Sequence, residues 1–150
     1  MGFIIIIGTF LLTEIAAWML HKYIMHGFLW SIHFDHHNKQ PGFFEKNDNF
    51  LFVFAIPSAL LIIFGIIHGF DYNMYMGFGI LLYGIAYFLF HDVLIHRRFP
   101  KMRKVLFGKA NNSYLKTLQY AHRMHHSHTG KNDGESFGML LVHPKYFKKG

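Results

Sequence analysis

The sequence predicts an all-α integral membrane protein that forms one domain over residues 1–150. Two observations predict this class. Hydrophobic residues make up 52% of the chain and aromatic residues 19%, which is unusual for a soluble domain that also carries a net charge of +7. The apolar residues are concentrated in three long runs, and the charged residues lie almost entirely outside these runs. We therefore expect about three, and at most four, transmembrane helices.

The three apolar runs cover residues 3–20, 50–67 and 74–90. Each has roughly 17–18 residues, near the short end of what crosses the hydrocarbon core of a bilayer as a helix. Glu14 is the only charged residue within them. The first run lacks the basic segment that opens a signal peptide, and it leads directly into a histidine motif, so we interpret it as a retained span.

The basic residues predict the orientation of the chain. Three crossings place residues 21–49 and 91–150 on one side of the membrane and residues 1–2 and 68–73 on the other. All fifteen Lys and Arg residues fall on the first side, which the positive-inside rule identifies as cytoplasmic. We expect a protein of the cell (inner) membrane with its N-terminus outside and its C-terminus in the cytoplasm. This arrangement accounts for the basic net charge without a nucleic-acid partner.

Histidine is the abundant metal-binding side chain of this sequence, since cysteine is absent and thirteen histidines are present. Ten histidines form the pattern H-x4-H followed by H-x2-H-H, once in each half of the chain: His21, His26, His33, His36, His37, His91, His96, His122, His125 and His126. On a helix, positions i, i+3 and i+4 lie within an arc of about 100°, so each H-x2-H-H group would share one face. Positions i and i+5 differ by about 140°. The H-x4-H pairs therefore need either a local distortion at the helix end or contact with the site from two sides.

These ten histidines predict a dimetal site in a cytoplasmic helical cap. They exceed the ligands of one ion and suit two ions with four or five each. Imidazole binds iron, zinc, copper and nickel, so the ligand type leaves the metal open. The first histidine of each H-x4-H pair directly follows a span, near the membrane–water interface, whereas a transporter would carry ligands inside its spans. This position favours an oxygen-activating centre of two non-haem iron ions, with O2 as co-substrate.

Three carboxylates are candidates to orient the ligands. Asp35 lies within HFDHH and Asp92 follows His91, so either would accept the second ring N–H of a ligand imidazole or be a solvated charge. Glu14 lies seven residues before His21 inside the first span, and would either orient a histidine or form a buried hydrogen bond between helices. Three histidines outside the repeated pattern are expected to have no ligand role: His68, His128 and His143.

Several phrases of the sequence carry a family resemblance: HKYIMHG, W-x2-H-x2-HH, FFEKND, YFLFHDVLIHRRFP, YLKTLQYAHRMHH and ESFGMLL. From about residue 14 to residue 141 the chain resembles the bacterial β-carotene 3-hydroxylases of the membrane-bound fatty acid hydroxylase and sterol desaturase superfamily. The resemblance implies a di-iron monooxygenase that hydroxylates carbon 3 of β-ionone rings, converting β-carotene through β-cryptoxanthin to zeaxanthin. It also implies that the ten patterned histidines hold the iron and that a ferredoxin-type protein donates electrons.

The sequence leaves alternatives to this function. A fatty acid or sterol hydroxylase or desaturase of the same superfamily would share the histidine pattern, and a histidine-rich membrane metal-binding or transport protein would share the composition. With no cysteine and no G-x-G-x-x-G motif, an oxygenase of this sequence needs an outside electron donor. The expected cytoplasmic segments carry all 15 basic residues and six of the eight acidic ones, which suits an acidic donor or anionic lipids equally. A carotenoid substrate would arrive from the bilayer, but no substrate-binding residue is predicted.

Overall fold

The computed structural model describes residues 1–109, 112–132 and 134–147, and every regular element in these ranges is helical. The α-helices are α1 (Gly2–Met19), α2 (Trp30–His37), α3 (Leu51–Ile67), α4 (Tyr72–Tyr87), α5 (Pro100–Phe107) and α6 (Ser113–Ser127). The π-helical segments are π1 (Leu20–Phe28) and π2 (Phe88–Ile95), which continue α1 and α4. Short 3-10 turns cover Lys46–Phe50 and Pro144–Tyr146. The predicted all-α class is confirmed.

Three helices of the described chain are long and apolar enough to cross a membrane: Gly2–Phe28, Lys46–Ile67 and Tyr72–Ile95. They contain the three predicted spans and extend beyond them, because π1, π2 and the turn at Lys46 continue the apolar helices. Many of their large apolar side chains point away from the protein, and Phe3 and Ile4 are each 75% exposed. A surface of this kind suits contact with lipid rather than with water.

The central helix α4 packs against both α1 and α3, and its glycines allow close approach. A Cβ added at Gly79 would lie 2.6 Å from the Cβ of Thr9 and 2.7 Å from the carbonyl oxygen of Ile6, both on α1. A Cβ added at Gly77 would lie 2.8 Å from the carbonyl oxygen of Ser58 on α3. There the Ser58 hydroxyl donates to the carbonyl oxygen of Gly77 at 2.8 Å. Small residues and interhelical hydrogen bonds are the usual means of helix association in a bilayer.

The remaining helices lie at the histidine-bearing ends of the long helices. Helix α6 begins where the side chain of Asn112 accepts a hydrogen bond from the backbone N–H of Tyr114 at 2.7 Å, a favourable N-cap. Its buried residues are Thr117, Leu118, Ala121, His122 and His125. They recur with helical spacing, so α6 turns one face, with two of its histidines, towards the protein interior.

Substitution of Gly79 by Ala is expected to separate α4 from α1 and to cost roughly 1–3 kcal/mol of stability, the usual range for overpacking. Gly84, on the same helix, has no atom within 4 Å of an added Cβ, so Gly84→Ala is the matched control. Thermal unfolding in detergent measures both effects. Equal losses of Tm in the two variants would contradict the assigned helix interface.

Candidate metal centre

Both H-x4-H pairs lie on π-helical turns. His21 and His26 belong to π1, whereas His91 lies in π2 and His96 directly follows it. The N–H of His96 donates to the carbonyl oxygen of His91, five residues earlier, at 2.8 Å. This wider turn brings side chains five positions apart to the same side, and ring centroids are 5.2 Å apart in the first pair and 4.4 Å in the second. Of the two arrangements that the sequence left open, the structure shows the local distortion.

The ten patterned histidines form two adjacent groups. In the five-histidine group, one ring nitrogen of each member lies within 4.8 Å of the others: His21, His26, His33, His37 and His125. In the four-histidine group the same holds for His36, His91, His96 and His122. His126 adjoins the four-histidine group, with its Nε2 2.9 Å from the Nε2 of His122. The rings of His126 and His37 stack with centroids 4.5 Å apart, where the two groups meet.

Helices α2 and α6 each contribute to both groups. On α2, His33 and His37 belong to the five-histidine group and His36 to the four-histidine group. On α6, His125 belongs to the first group and His122 to the second. Each H-x2-H-H motif therefore lies between two groups rather than facing one.

Every member of the five-histidine group has its Nδ1 against an uncharged oxygen. Four of these oxygens are backbone carbonyls of residues 128–137, and the fifth is a side-chain amide. The pairs are His21 with Phe137 (2.9 Å), His26 with Lys131 (3.1 Å), His37 with His128 (3.1 Å), His125 with Glu135 (2.9 Å) and His33 with Oδ1 of Asn47 (2.6 Å). Because these oxygens can only accept, Nδ1 carries the proton and Nε2 carries the lone pair.

Carboxylates orient two members of the four-histidine group. The Nδ1–H of His36 donates to Oε2 of Glu45 at 2.8 Å, and Nδ1 of His91 lies 3.4 Å from Oδ1 of Asp92. The Arg98 guanidinium donates to the same Asp92 oxygen at 3.2 Å. A carboxylate partner raises the basicity of an imidazole. The two groups therefore differ in the charge of the oxygens that orient them.

The lone-pair nitrogens converge inside each group. The Nε2-to-Nε2 distances are 3.1 Å for His21 and His33, 3.0 Å for His37 and His125, and 3.1 Å for His36 and His91. Two unprotonated nitrogens at such distances repel each other, since neither can donate a hydrogen bond. Two nitrogens bound at about 2.1 Å and at right angles around one ion are about 3 Å apart. This donor set therefore fits a metal ion in each group.

Burial keeps three imidazoles of the five-histidine group neutral, those of His33, His37 and His125. It is the main reason that the pKa of His33 is lowered to about 3, that of His37 to about 4 and that of His125 to about 2. Neighbouring imidazoles lower these pKa values further, because positive charges this close repel each other. Neutral imidazole is the form that binds a metal. The site is thus in its ligand form at neutral pH.

The three candidate carboxylates have different partners. Asp92 lies against His91, as expected of a carboxylate that orients a ligand. The Oδ2 of Asp35 accepts from the backbone N–H of Lys46, and its Oδ1 is buried without a hydrogen-bond partner in the described chain. Glu14 takes the other role considered for it, since the hydroxyl of Tyr83 on α4 donates to its Oε2 at 2.8 Å.

Sequence reasoning missed Glu45 and Asn47, and it missed four backbone carbonyl oxygens, those of His128, Lys131, Glu135 and Phe137. Glu45 and Asn47 lie in FFEKND, a polar phrase directly before the second span, which was a usable signal. The carbonyl oxygens had no such signal, because every residue type carries one. His128 and His68 lie outside both groups, with their Nδ1 atoms against carbonyl oxygens of their own helices.

A cavity of about 670 Å³ opens onto the four-histidine group. Histidines line one part of it: His36, His37, His96, His122 and His126. Basic side chains line another part: Lys39, Arg97, Arg98, Lys116 and Arg123. The cavity thus connects this group with a polar, positively charged surface.

The lowered histidine pKa values predict loss of stability in acid for protein freed of metal. The unfolded chain binds protons near pH 6.5, whereas folded His33 and His37 bind them only near pH 3 and 4. Stability is therefore fully present above about pH 6.5 and falls as the pH is lowered towards those values. We expect the Tm of chelator-treated protein to change little from pH 7.5 to about pH 6.5 and to fall steadily from there to pH 5. A Tm that stays constant over this range would contradict the burial of neutral imidazoles.

The comparisons with known proteins agree with this site. The family model described as fatty acid hydroxylase matches residues 6–143. The chain is 42% identical to a beta-carotene hydroxylase of Pantoea ananas, over 95% of this chain and 75% of that protein. It is 39% identical to a beta-carotene hydroxylase of Pseudescherichia vulneris, over 93% and 75%, and 34% identical to one of Paracoccus sp. (strain PC1), over 95% and 85%. No solved structure matches significantly. The chain therefore belongs to the fatty acid hydroxylase family, with bacterial beta-carotene hydroxylases among its relatives.

Proposed function

We propose that this protein is a membrane-bound, O2-dependent β-carotene 3-hydroxylase that converts β-carotene through β-cryptoxanthin to zeaxanthin. The observation that carries the proposal is the pair of histidine groups, whose Nε2 lone pairs converge in a chain 42% identical to a beta-carotene hydroxylase. Such a donor set is suited to two non-haem iron ions. The ten patterned histidines would be their ligands.

Two bound iron ions would supply the reductive activation of O2 that inserts one oxygen atom into a ring C–H bond. Each hydroxylation consumes one O2, two electrons and two protons, and releases one water. The protein's part is positioning. Hydrogen bonds at Nδ1 fix the direction of seven of the ten imidazoles before the ions bind. Within the five-histidine group, His33 and His125 are only 1% and 0% exposed, so their nitrogens are shielded from water.

The substrate would reach this centre from the bilayer. The first histidine of each H-x4-H pair lies on the π-helical segment that ends a long apolar helix. A carotene is about as long as the bilayer is thick, so its terminal ring would lie near the interface where these helices end. With all Lys and Arg on the same side as the site, the positive-inside rule supports a cytoplasmic site in the inner membrane and an N-terminus outside.

The electrons would come from a separate protein, because the chain has no cysteine for an iron–sulfur cluster and no nucleotide-binding glycine motif. A ferredoxin-type donor suits this role. Acidic proteins are steered to basic surfaces, and the basic side chains of the 670 Å³ cavity lie beside ligands of the four-histidine group. Anionic lipid headgroups would be attracted by the same charges.

A second candidate is a fatty acid or sterol hydroxylase or desaturase, which the description of the matching family model favours. A metal transporter is less compatible with the structure. Its spans would need polar groups along a pathway, whereas Glu14, the one charged residue within the predicted spans, is held by Tyr83 and by backbone N–H groups.

Production of the protein in a host that makes β-carotene tests the substrate. We expect β-cryptoxanthin and zeaxanthin in the pigment extract, separated by liquid chromatography. An extract that contains only β-carotene, from membranes in which the protein is present and metal-loaded, would contradict the proposed substrate and leave the fatty acid or sterol reaction.

Substitution of His125 by Ala should abolish hydroxylation, because its Nε2 lies 3.0 Å from that of His37 and 3.4 Å from that of His26. His128→Ala is the control, since it removes an imidazole outside both groups and keeps the backbone carbonyl that orients His37. Pigment yield, corrected for protein in the membrane, measures both. Substantial hydroxylation by the His125 variant would contradict its assignment as a ligand.

A further inference from the structure

Glu14 carries a charge inside the first span and is only 2% exposed. Its Oε1 accepts hydrogen bonds from three successive backbone N–H groups, those of Met139 (3.1 Å), Leu140 (2.8 Å) and Leu141 (2.9 Å). Its Oε2 accepts from the hydroxyl of Tyr83 at 2.8 Å. A charged acceptor forms the strongest bonds of this kind. One carboxylate on α1 therefore holds the turn at residues 139–141 in place, more than a hundred residues further along the chain.

This turn continues directly from the segment that orients the five-histidine group. Phe137, whose carbonyl oxygen accepts from His21, lies two residues before Met139. The carbonyl oxygens of Glu135 and Lys131, which accept from His125 and His26, belong to residues two and six positions before Phe137. Backbone carbonyls are fixed only where the chain is fixed, so the position of this segment determines the orientation of three ligands.

The turn itself leaves little freedom for movement. A Cβ added at Gly138 would lie 2.6 Å from the carbonyl oxygen of Leu141 and 3.5 Å from Oε1 of Glu14. The hydroxyl of Tyr114 on α6 donates to the carbonyl oxygen of Leu140 at 2.7 Å. The turn is thus hydrogen-bonded to Glu14 through its N–H groups and to α6 through the carbonyl oxygen of Leu140.

The orienting partners of His36 and His91, in the four-histidine group, lie outside this turn. Glu45 and Asp92 are the orienting partners found for this group in the described chain. Arg98 donates to both oxygens of Asp48, at 2.7 and 2.8 Å, and to Asp92 at 3.2 Å. Glu45 and Asp48 belong to the segment before α3, Asp92 to π2, and Arg98 to the loop after π2, so a change at Glu14 should leave them in place.

We propose that Glu14 is a positioning residue for one of the two metal sites: through the turn at residues 139–141, it sets the backbone that orients His21, His26 and His125. The inference rests on the proposed binding of two metal ions. It assigns Glu14 no contact with substrate or metal. Loss of Glu14 should weaken the binding of the ion in the five-histidine group and leave the binding of the ion in the four-histidine group unchanged.

In the test, iron-loaded protein in detergent is dialysed against a chelator at a strength that removes no iron from the wild type. The number of metal ions per chain is then measured. Loss of a ligand-orienting partner typically lowers metal affinity about 10–100-fold. Glu14→Leu should therefore retain about one ion where the wild type retains about two. Glu45→Gln should also retain about one, and the double variant almost none, because the two changes act on different ions.

Two further variants separate positioning from folding. Tyr83→Phe removes the bond to Oε2 but leaves the three N–H bonds to Oε1, so it should retain both ions. Glu14→Gln keeps an oxygen acceptor for the turn and should lie between Glu14→Leu and the wild type. If Glu14→Leu is not stably inserted, the Gln variant carries the test, with faster release of one ion as the expected result.

Three results would overturn the inference: both ions retained by Glu14→Leu, both ions lost equally by the single variants, or Tyr83→Phe behaving like Glu14→Leu. The last two would mean that Glu14 supports the helix bundle as a whole. Failure of the proposed substrate leaves this test unaffected, because metal retention is measured without carotene. Wild-type protein that binds no metal would contradict both proposals.

Discussion

The structure depends on one electrostatic constraint: imidazole nitrogens that carry lone pairs are packed about 3 Å apart with no proton between them. Hydrogen bonds at Nδ1 impose this arrangement in the five-histidine group, since they place the protons on the outside of that group. The repulsion inside is relieved only by a cation. Binding of metal ions would therefore be coupled to the folding of this region, because the surrounding elements direct the ring nitrogens towards two points.

The long helices supply the frame for this constraint. Glycines on α4 bring it close to α1 and α3, so the ends of the first and third long helices, which carry the H-x4-H pairs, are held side by side. The π-helical turns then bring histidines five residues apart to one side. A regular α-helix would point them about 140° apart. The π-helical turns at π1 and π2 therefore replace the regular α-helical hydrogen bonds at the helix ends. In exchange, they bring the two histidines of each H-x4-H pair together.

The surrounding oxygens make the two groups chemically different. Neutral carbonyl and amide oxygens orient the five-histidine group, whereas Glu45 and Asp92 place negative charge beside the four-histidine group. A carboxylate partner makes an imidazole a stronger donor to its metal. Three members of the four-histidine group line the basic cavity, compared with one member, His37, of the five-histidine group. The two positions are therefore suited to ions that differ in electron density and in access from solvent.

Much of this arrangement could be predicted from the sequence. The remaining features could not, for physical reasons that can be named. The spans followed from hydropathy, and the ten histidines from a spacing that occurs twice. The π-turns did not follow, because the choice between a local distortion and contact with the site from two sides depends on packing at the helix ends. The backbone acceptors of residues 128–137 did not follow either, since a carbonyl oxygen has no sequence signature. Glu14 was recognised as unusual, but its partners at residues 139–141 are set by tertiary structure alone.

The most direct measurement of the central claim is the metal content of protein purified without oxygen, combined with X-ray absorption at the metal edge. We expect about two iron ions per chain, each surrounded mainly by imidazole nitrogens at about 2.0–2.2 Å. A stably folded protein with one ion or none per chain, or with ligand shells made mainly of oxygen, would contradict it.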